Sequence, residues 1–262
     1  MKKNKMLFPR ITVITVTKNR PTLLERAISS VRNQTYPSIH HYVVIDDCQK
    51  TLKMLMGKYT HSHNIYWKNF KRNLSDKDGP NILSKLRTNA IHNLDTEWFA
   101  FLDDDNEFYP DHIEKLYRFA IAKDSDAVHS YRKVFNNDDS PYLDEEWPWG
   151  RTKEARLKVY NEMLKVGVVQ RGSNIFRDRY GVTIDTSLWL LKTKLFNDRC
   201  IPQEYSKKDF EECCPEDTKM MNLLIENKIM VLSNTEPTVK YYLGGYSNNV
   251  QKATEGSVIW KP

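Results

Sequence analysis

The sequence predicts an α/β fold in one domain, a mostly parallel sheet flanked by helices. Short apolar, β-branched runs alternate with segments whose apolar residues recur at helical spacing, the order of a parallel sheet with crossover helices. Two of those runs, 43–45 and 98–102, end abruptly in acids, Asp46-Asp47 and Asp103-Asp104-Asp105. Parallel order would bring both acidic ends to one edge, and the C-terminal edge of an open α/β sheet is where ligands bind.

Each element can be justified from its residues. Ile11–Thr17 is apolar and β-branched, a first strand. Pro21 suits a first helical turn, and Leu24, Ala27, Ile28 and Val31 then share one face. Asn33-Gln34-Thr35 and Tyr36-Pro37 end that helix. Residues 41–45 form the second strand, 51–59 a helix and Ile65–Phe70 a third strand. Asp78-Gly79-Pro80 marks a loop, and 82–94 reads as a helix with Leu83, Leu86, Ala90 and Ile91 on one side. Residues 98–102 form the strand before the acid triplet. Pro110 opens a helix with Ile113, Leu116, Tyr117 and Ala120 inward, and Ala127–Phe135 is a further strand.

The character changes after that. Residues 136–151 form a long loop rich in acid and tryptophan, and loops of that length are usually functional or mobile. Residues 152–168 are amphipathic, 182–191 reads as a strand, 216–227 as a helix and 229–232 as a strand. Gly244-Gly245-Tyr246-Ser247-Asn248-Asn249 reads as a flexible loop. No repeat or linker divides the chain. It reads as one domain over 1–262, with a ligand-binding half at about 8–135 and a half with long loops at about 136–262.

Composition narrows the class. The 262 residues are 40% hydrophobic and 28% charged, with a mean hydropathy of -0.65, and no segment approaches the ~18 apolar residues of a membrane span. The lysine-rich start, Met1-Lys2-Lys3-Asn4-Lys5, reads as a solvated tail, because Pro9 and Arg10 interrupt any apolar run after it. The net charge of +6 would suit an anionic partner, such as a nucleotide, an anionic membrane surface or nucleic acid. The basic residues are scattered, however, which solubility alone explains. Cys48, Cys200, Cys213 and Cys214 show no disulfide or C-x-x-C spacing and read as reduced thiols, so a cytoplasmic location is expected.

Three adjacent carboxylates repel one another unless a cation lies among them. Hard oxygen ligands suit Mg²⁺ or Mn²⁺ held by one or two carboxylates plus substrate phosphates. Taken alone, the triplet reads equally as a solvated acidic turn that caps the next helix.

The ordered motifs resemble the GT-A-fold glycosyltransferases of family 2, nucleotide-sugar-dependent enzymes with a Rossmann-like sheet. The spacing is most similar to the spore-coat polysaccharide glycosyltransferase group. Residues 11–20 resemble that family's first strand and T-x-N-R turn, and 27–36 its "SVLNQTY" helix end. Residues 43–47 resemble "VVDD", Arg87-Thr88-Asn89-Ala90 resembles "ARNxA", and 101–106 with Tyr109-Pro110-Asp111 resembles the D-x-D segment. The set runs in order over about residues 11–120. Where the family often has "DDGS", this chain has Asp46-Asp47-Cys48-Gln49.

The resemblance implies an inverting sugar transfer from a nucleotide-diphosphate donor, expected to be UDP-linked, to a sugar or other hydroxyl acceptor. Asp47 and Asp46 would accept hydrogen bonds from a uracil-like base, with Thr17, Asn19 and Arg20 in the adjoining turn. Arg87 would lie over the nucleotide. Asp105, with Asp103, would hold Mn²⁺ or Mg²⁺ on the diphosphate, and Asp103 and Asp104 would hold ribose or metal-bound water. The base of such a transfer must be a carboxylate or histidine. All seven histidines lie at or before His129, which excludes a histidine from the C-terminal half. The family places its base in an E-D pair opening a late helix, which Pro215-Glu216-Asp217 matches. Asp217 is therefore the expected base, with Glu216 beside it in acceptor binding. The same triplet is also ordinary helix-start chemistry, and Asp209, Glu211 and Glu212 are rival carboxylates.

Trp147 and Trp149 are candidates for stacking on a sugar face, Trp189 is expected in the core, and His61 and His63 on a surface loop. A sugar nucleotidyltransferase is the alternative. It would favour a glycine-rich phosphate loop, which Thr17-Lys18-Asn19-Arg20-Pro21 lacks. A nucleic-acid-binding protein is disfavoured, since acids at the ligand edge repel phosphates.

Overall fold

The computed structural model describes residues 8–73, 79–150, 152–197, 205–211 and 214–245. The lysine-rich tail, Asp78, Cys200, Glu212, Cys213 and residues 246–249 lie outside the described residues.

β1 (Ile11–Thr17) is buried on both faces, as a central parallel strand must be. β2 (Ile39–Asp46) pairs with it in parallel on one side and β4 (Trp98–Phe101) in parallel on the other, while β3 (Ile65–Phe70) extends the sheet beyond β2. The strand order therefore reverses at β1, and the crevice between the C-terminal ends of β1 and β4 is a topological switch point. α1 (Pro21–Arg32), α2 (Gln49–Tyr59) and α3 (Pro80–His92) supply the crossovers. Leu24, Ala27, Ile28 and Val31 of α1 and Leu86, Ala90 and Ile91 of α3 are buried, as their spacing predicts.

Gln34 and Thr35 have a structural task that composition does not reveal. The Gln34 amide donates to the Tyr109 carbonyl at 2.7 Å and accepts from the Ile113 N–H at 3.0 Å. The Thr35 N–H donates to the Pro110 carbonyl at 2.8 Å. These bonds tie the end of α1 to the start of α4 (His112–Lys123), so the acid triplet is pinned from its downstream side.

Beyond β4 the sheet is mixed. β8 (Trp189–Lys192) runs antiparallel between β4 and β6 (Ala127–Phe135). β9 (Val231–Tyr242) runs parallel to β6, and β5 (Glu107–Phe108) closes the edge antiparallel to β9. β7 (Ile175–Phe176) adds to β6. α5 (Lys153–Lys165) crosses the loop-rich half, α6 (Lys194–Asn197) and α7 (Lys207–Glu211) are short, and α8 (Glu216–Glu226) packs against α3.

Two expectations need correction. Residues 182–191 are not one strand. The Asp185 carboxylate accepts from the Ser187 N–H at 3.0 Å and closes a 3₁₀ turn over Thr186–Leu188, which leaves only Trp189–Lys192 in the sheet. The strand expected at 229–232 continues to Tyr242. Its polar stretch Ser233-Asn234-Thr235-Glu236-Pro237 reads as a turn. In the structure it is absorbed as an irregularity in the pairing with β6, with Thr235 at φ 60°.

Trp98, Phe99, Phe101 and Trp189 are fully buried at the centre of the main core. A second cluster forms around Val134, Tyr142, Tyr160, Phe176 and Tyr241. Trp147 and Trp149 pack onto it, Trp147 stacked on Phe176 at 5.4 Å and Trp149 edge-on to Tyr241 at 5.4 Å. Both are half-buried, so much of their surface serves packing. His61 and His63 are exposed, as expected.

Candidate active site

Thr17 ends β1 and donates its hydroxyl proton to Asp104 Oδ2 at 2.7 Å. Arg20 comes next in the turn before α1. Its Nη1 donates to Asp104 Oδ1 at 2.6 Å and to Asp105 Oδ2 at 3.0 Å. Arg26, one turn into α1, donates to the Asp105 carbonyl at 2.6 Å. Asn19 sits in the same turn, exposed at φ 53°, and its backbone hydrogen-bonds the Cys48 thiol at the end of β2. The T-x-N-R turn and the acid triplet are therefore one hydrogen-bonded unit.

Burial pushes the Asp104 carboxyl up, against the pull of Arg20 and Thr17. It pushes Asp105 up to about 7, with Asp103 and Asp104 adding to the effect and Arg20 only partly opposing it. The C-terminal segment also approaches closely. A Cβ on Gly245 would lie 2.5 Å from Asp105 Oδ2, so a side chain at this position would have to displace that carboxylate.

Asp46 and Asp47 lie at the same sheet edge. Arg72 forks both Asp46 oxygens, with Nε to Oδ1 at 2.5 Å and Nη2 to Oδ2. Asp47, at φ 41°, is held by Lys71 at 3.0 Å, which draws its carboxyl below the usual range.

Arg87 links the two halves. Its guanidinium is buried and donates to Asp103 Oδ1 at 2.7 Å and Glu216 Oε1 at 3.3 Å. Glu216 and Asp217 open α8, so this bridge brings the late E-D pair to the acid triplet. The Arg87 side chain is thus almost wholly buried and engaged by two carboxylates. Asp217 Oδ1 accepts from the Thr218 N–H at 2.6 Å. Its carboxyl is pushed up to about 7 by burial, then by Glu216 and Asp185, with Arg132 and the Thr218 bond opposing. Of the rivals, Asp209 is engaged by Lys219 and Ser206, and Glu211 is exposed beside Lys207.

Several residues at this site escaped sequence reasoning. Arg132 of β6 is buried and pairs with Asp178 at 3.0 Å and Asp185 at 2.8 Å. Ser187 Oγ accepts from the Asp103 N–H at 3.1 Å and the Asn106 amide at 3.3 Å. A usable signal did exist for Arg132. Val128, Ser130, Arg132 and Val134 alternate on one face of a strand, which places a charge at a core position.

The sequence profile described as Glycosyl transferase family 2 matches residues 12–178 of the chain. The chain belongs to glycosyl transferase family 2. Curated relatives of this family-2 chain include CgeD of Bacillus subtilis (strain 168), 24% identical over 126 residues, 48% of this chain and 30% of that protein. Another is the GalNAc(5)-diNAcBac-PP-undecaprenol beta-1,3-glucosyltransferase of Campylobacter jejuni, 28% identical over 129 residues, 49% of this chain and 38% of that protein. The chain thus spans about a third of the length of these relatives. Among solved structures, S. aureus TarS 1–349 in complex with UDP-GlcNAc aligns with a TM-score of 0.61 at 17% identity, over 95% of this chain and 62% of that one. The mannosyltransferase PcManGT from Pyrobaculum calidifontis, in complex with GDP-Man and Mn²⁺, aligns with a TM-score of 0.60 at 12% identity, over 94% and 61%. These likenesses establish the GT-A fold. Among the described residues, no helix is long and apolar enough to cross a membrane.

Proposed function

We propose that this protein is an inverting glycosyltransferase that moves a sugar from a UDP-linked donor to an acceptor hydroxyl, with Asp217 as general base. The observation that carries this reading is the Arg87 bridge. It joins Asp103, in the triplet at the switch point, to Glu216, the neighbour of a half-buried carboxylate whose pKa of about 7 suits a base at neutral pH. Asp46 and Asp47 would accept from the base edge of the nucleotide, with Thr17, Asn19 and Arg20 flanking it.

The triplet fits a divalent cation. Asp105 lies beside two further carboxylates with its charge only partly offset by Arg20, the mark of a site short of positive charge. Asp105, with Asp103, would hold Mn²⁺ or Mg²⁺. Among the described residues, no group of three His, Cys, Asp or Glu side chains converges on a metal position. Diphosphate oxygens and water would therefore complete the shell. When bound, the ion offsets the charge that builds on the departing diphosphate.

In the transfer the acceptor oxygen forms a bond to the anomeric carbon. The bond from that carbon to the phosphate oxygen breaks, its electron pair leaves with the nucleoside diphosphate, and the acceptor proton passes to Asp217. Glu216 would orient the acceptor. One displacement inverts the anomeric configuration. The Cys48 thiol, which is in no disulfide, suits a reducing cytoplasm, and a lipid-linked acceptor would bring the protein to an anionic membrane surface.

Calorimetry with UDP and GDP, each with and without Mn²⁺, tests the donor reading. UDP is expected to bind in a metal-dependent way and GDP more weakly, and absent or metal-independent UDP binding overturns it. Asp217→Asn is expected to abolish turnover of the donor while keeping UDP affinity, and retained turnover moves the base elsewhere.

A further inference from the structure

We propose that Arg132, clamped by Asp178, is a positioning residue for both sides of the site: it holds Asp185 in the turn that fixes the Asp103 backbone, and it stands as the buried cation facing Asp217. The proposal rests on the reading of Asp217 as base.

The geometry runs as one chain. Arg132 Nη2 meets Asp178 Oδ1 at 3.0 Å, and both groups are almost wholly buried. The guanidinium lies over the rings of Tyr241 and Trp149, 4.8 and 4.9 Å from their centres, so it has little freedom to swing. Its Nη1 meets Asp185 Oδ2 at 2.8 Å. The other Asp185 oxygen accepts from the Ser187 N–H at 3.0 Å. Ser187 Oγ in turn accepts from the N–H of Asp103 and the amide of Asn106, and the Asn106 carbonyl oxygen accepts from the Tyr242 N–H at 3.1 Å. Arg132, the stretch 178–187 and Tyr242, all remote in sequence, thereby converge on the backbone of the first acid of the triplet.

A buried ion pair of this kind adds little stability of its own; what it supplies here is placement. Three carboxylates would otherwise face one another here. Asp217 is opposed by Glu216 on its own helix and by Asp185 from the 3₁₀ turn, and Arg132 on β6 is the cation that counters them. Tyr205 faces Glu216 and Asp217, Tyr241 and Asp103 face Asp185, and Arg87 reaches the cluster through Glu216.

The test is a carbon-13 NMR titration of aspartate-labelled protein, with the Asp217 resonance assigned by its loss in Asp217→Asn. Arg132→Met removes the opposing cation and is expected to raise the Asp217 midpoint by about one pH unit. Asp185→Asn keeps an acceptor for Ser187 but removes a like charge, and is expected to lower it by a similar amount. Arg132→Lys should return the midpoint toward wild type. Opposite shifts are a result that general loosening does not produce. Midpoints that stay fixed, or move in the same direction, overturn the proposal. If Arg132→Met does not fold, Arg132→Gln, which keeps hydrogen-bond donors without the charge, is read in its place, and an Asp217 midpoint that does not rise overturns the proposal. Ser187→Ala should weaken UDP–Mn²⁺ binding by about threefold to tenfold, from the loss of one buried acceptor, with the Asp217 midpoint unchanged. Unweakened binding removes the Asp103 half of the proposal. The base assignment fails separately, if Asp217→Asn still turns over donor.

Discussion

At the scale of single residues the site is a problem of like charge in little water. Asp105 must ionise to hold a cation, yet burial and two neighbouring acids push its carboxyl up to about 7. UDP–Mn²⁺ affinity is therefore expected to rise as pH increases through 7 and then level, a trend calorimetry at pH 6, 7 and 8 would show. Asp105→Asn should flatten that dependence and reduce affinity on the order of tenfold or more. The acids themselves were legible, because each cluster ends an apolar run. Their counter-ions were legible only in part. Arg20 and Arg87 lie in recognisable motifs, whereas Arg72, Arg132 and Asp185 are single charges whose partners lie 26, 46 and 53 residues away. No local pattern encodes a contact of that kind.

At the scale of elements, the bridge through Arg87 makes α8 depend on α3. Arg87→Met leaves Asp103 and Glu216 without their shared cation, and because both carboxylates keep some contact with water the loss is about 1–3 kcal/mol. Faster amide exchange in α8 than in β1 and β2 is the expected signature. Glycines give a contrast between two elements. Gly57, in α2, is exposed with open space at its Cβ position, so Gly57→Ala should stabilise the fold by about 0.5–1 kcal/mol. Gly245→Ala would drive a methyl group against Asp105 and should weaken UDP–Mn²⁺ binding without lowering the melting temperature to match. The first four strands and four helices of the parallel half could be read from periodicity alone. β9 could not, because the polar run 233–237 imitates a turn and only pairing with β6 keeps it extended. The two-residue strands β5 and β7 are too short to carry a period.

At the scale of the whole molecule, the carboxyls of Asp105, Asp178 and Asp217 all titrate near 7, against an ordinary value of 3.8. Their protons are held more tightly in the folded chain than in the unfolded one. That stabilisation is complete below about pH 4 and is lost as pH rises through 7. The metal-free protein should therefore melt several degrees lower at pH 8 than at pH 5.5, about 2–4 °C for each kcal/mol lost. UDP with Mn²⁺ should recover part of the difference. A thermal scan across that range, with and without ligand, checks both statements. The order of strands in the sheet has a further consequence for biosynthesis. β1, β2 and β3 pair with near neighbours in the chain, and so suit early assembly during synthesis, whereas β4 joins β1 from much further along. β8 must then slot between β4 and β6, both made before it, and Glu216 reaches Arg87 across 129 residues. If Asp217 is the base, as proposed, a growing chain would complete the strand ends that carry Asp46, Asp47 and the acid triplet well before the base is made. On that assignment a ribosome-bound intermediate would be chemically silent toward an activated sugar until α8 has emerged and docked.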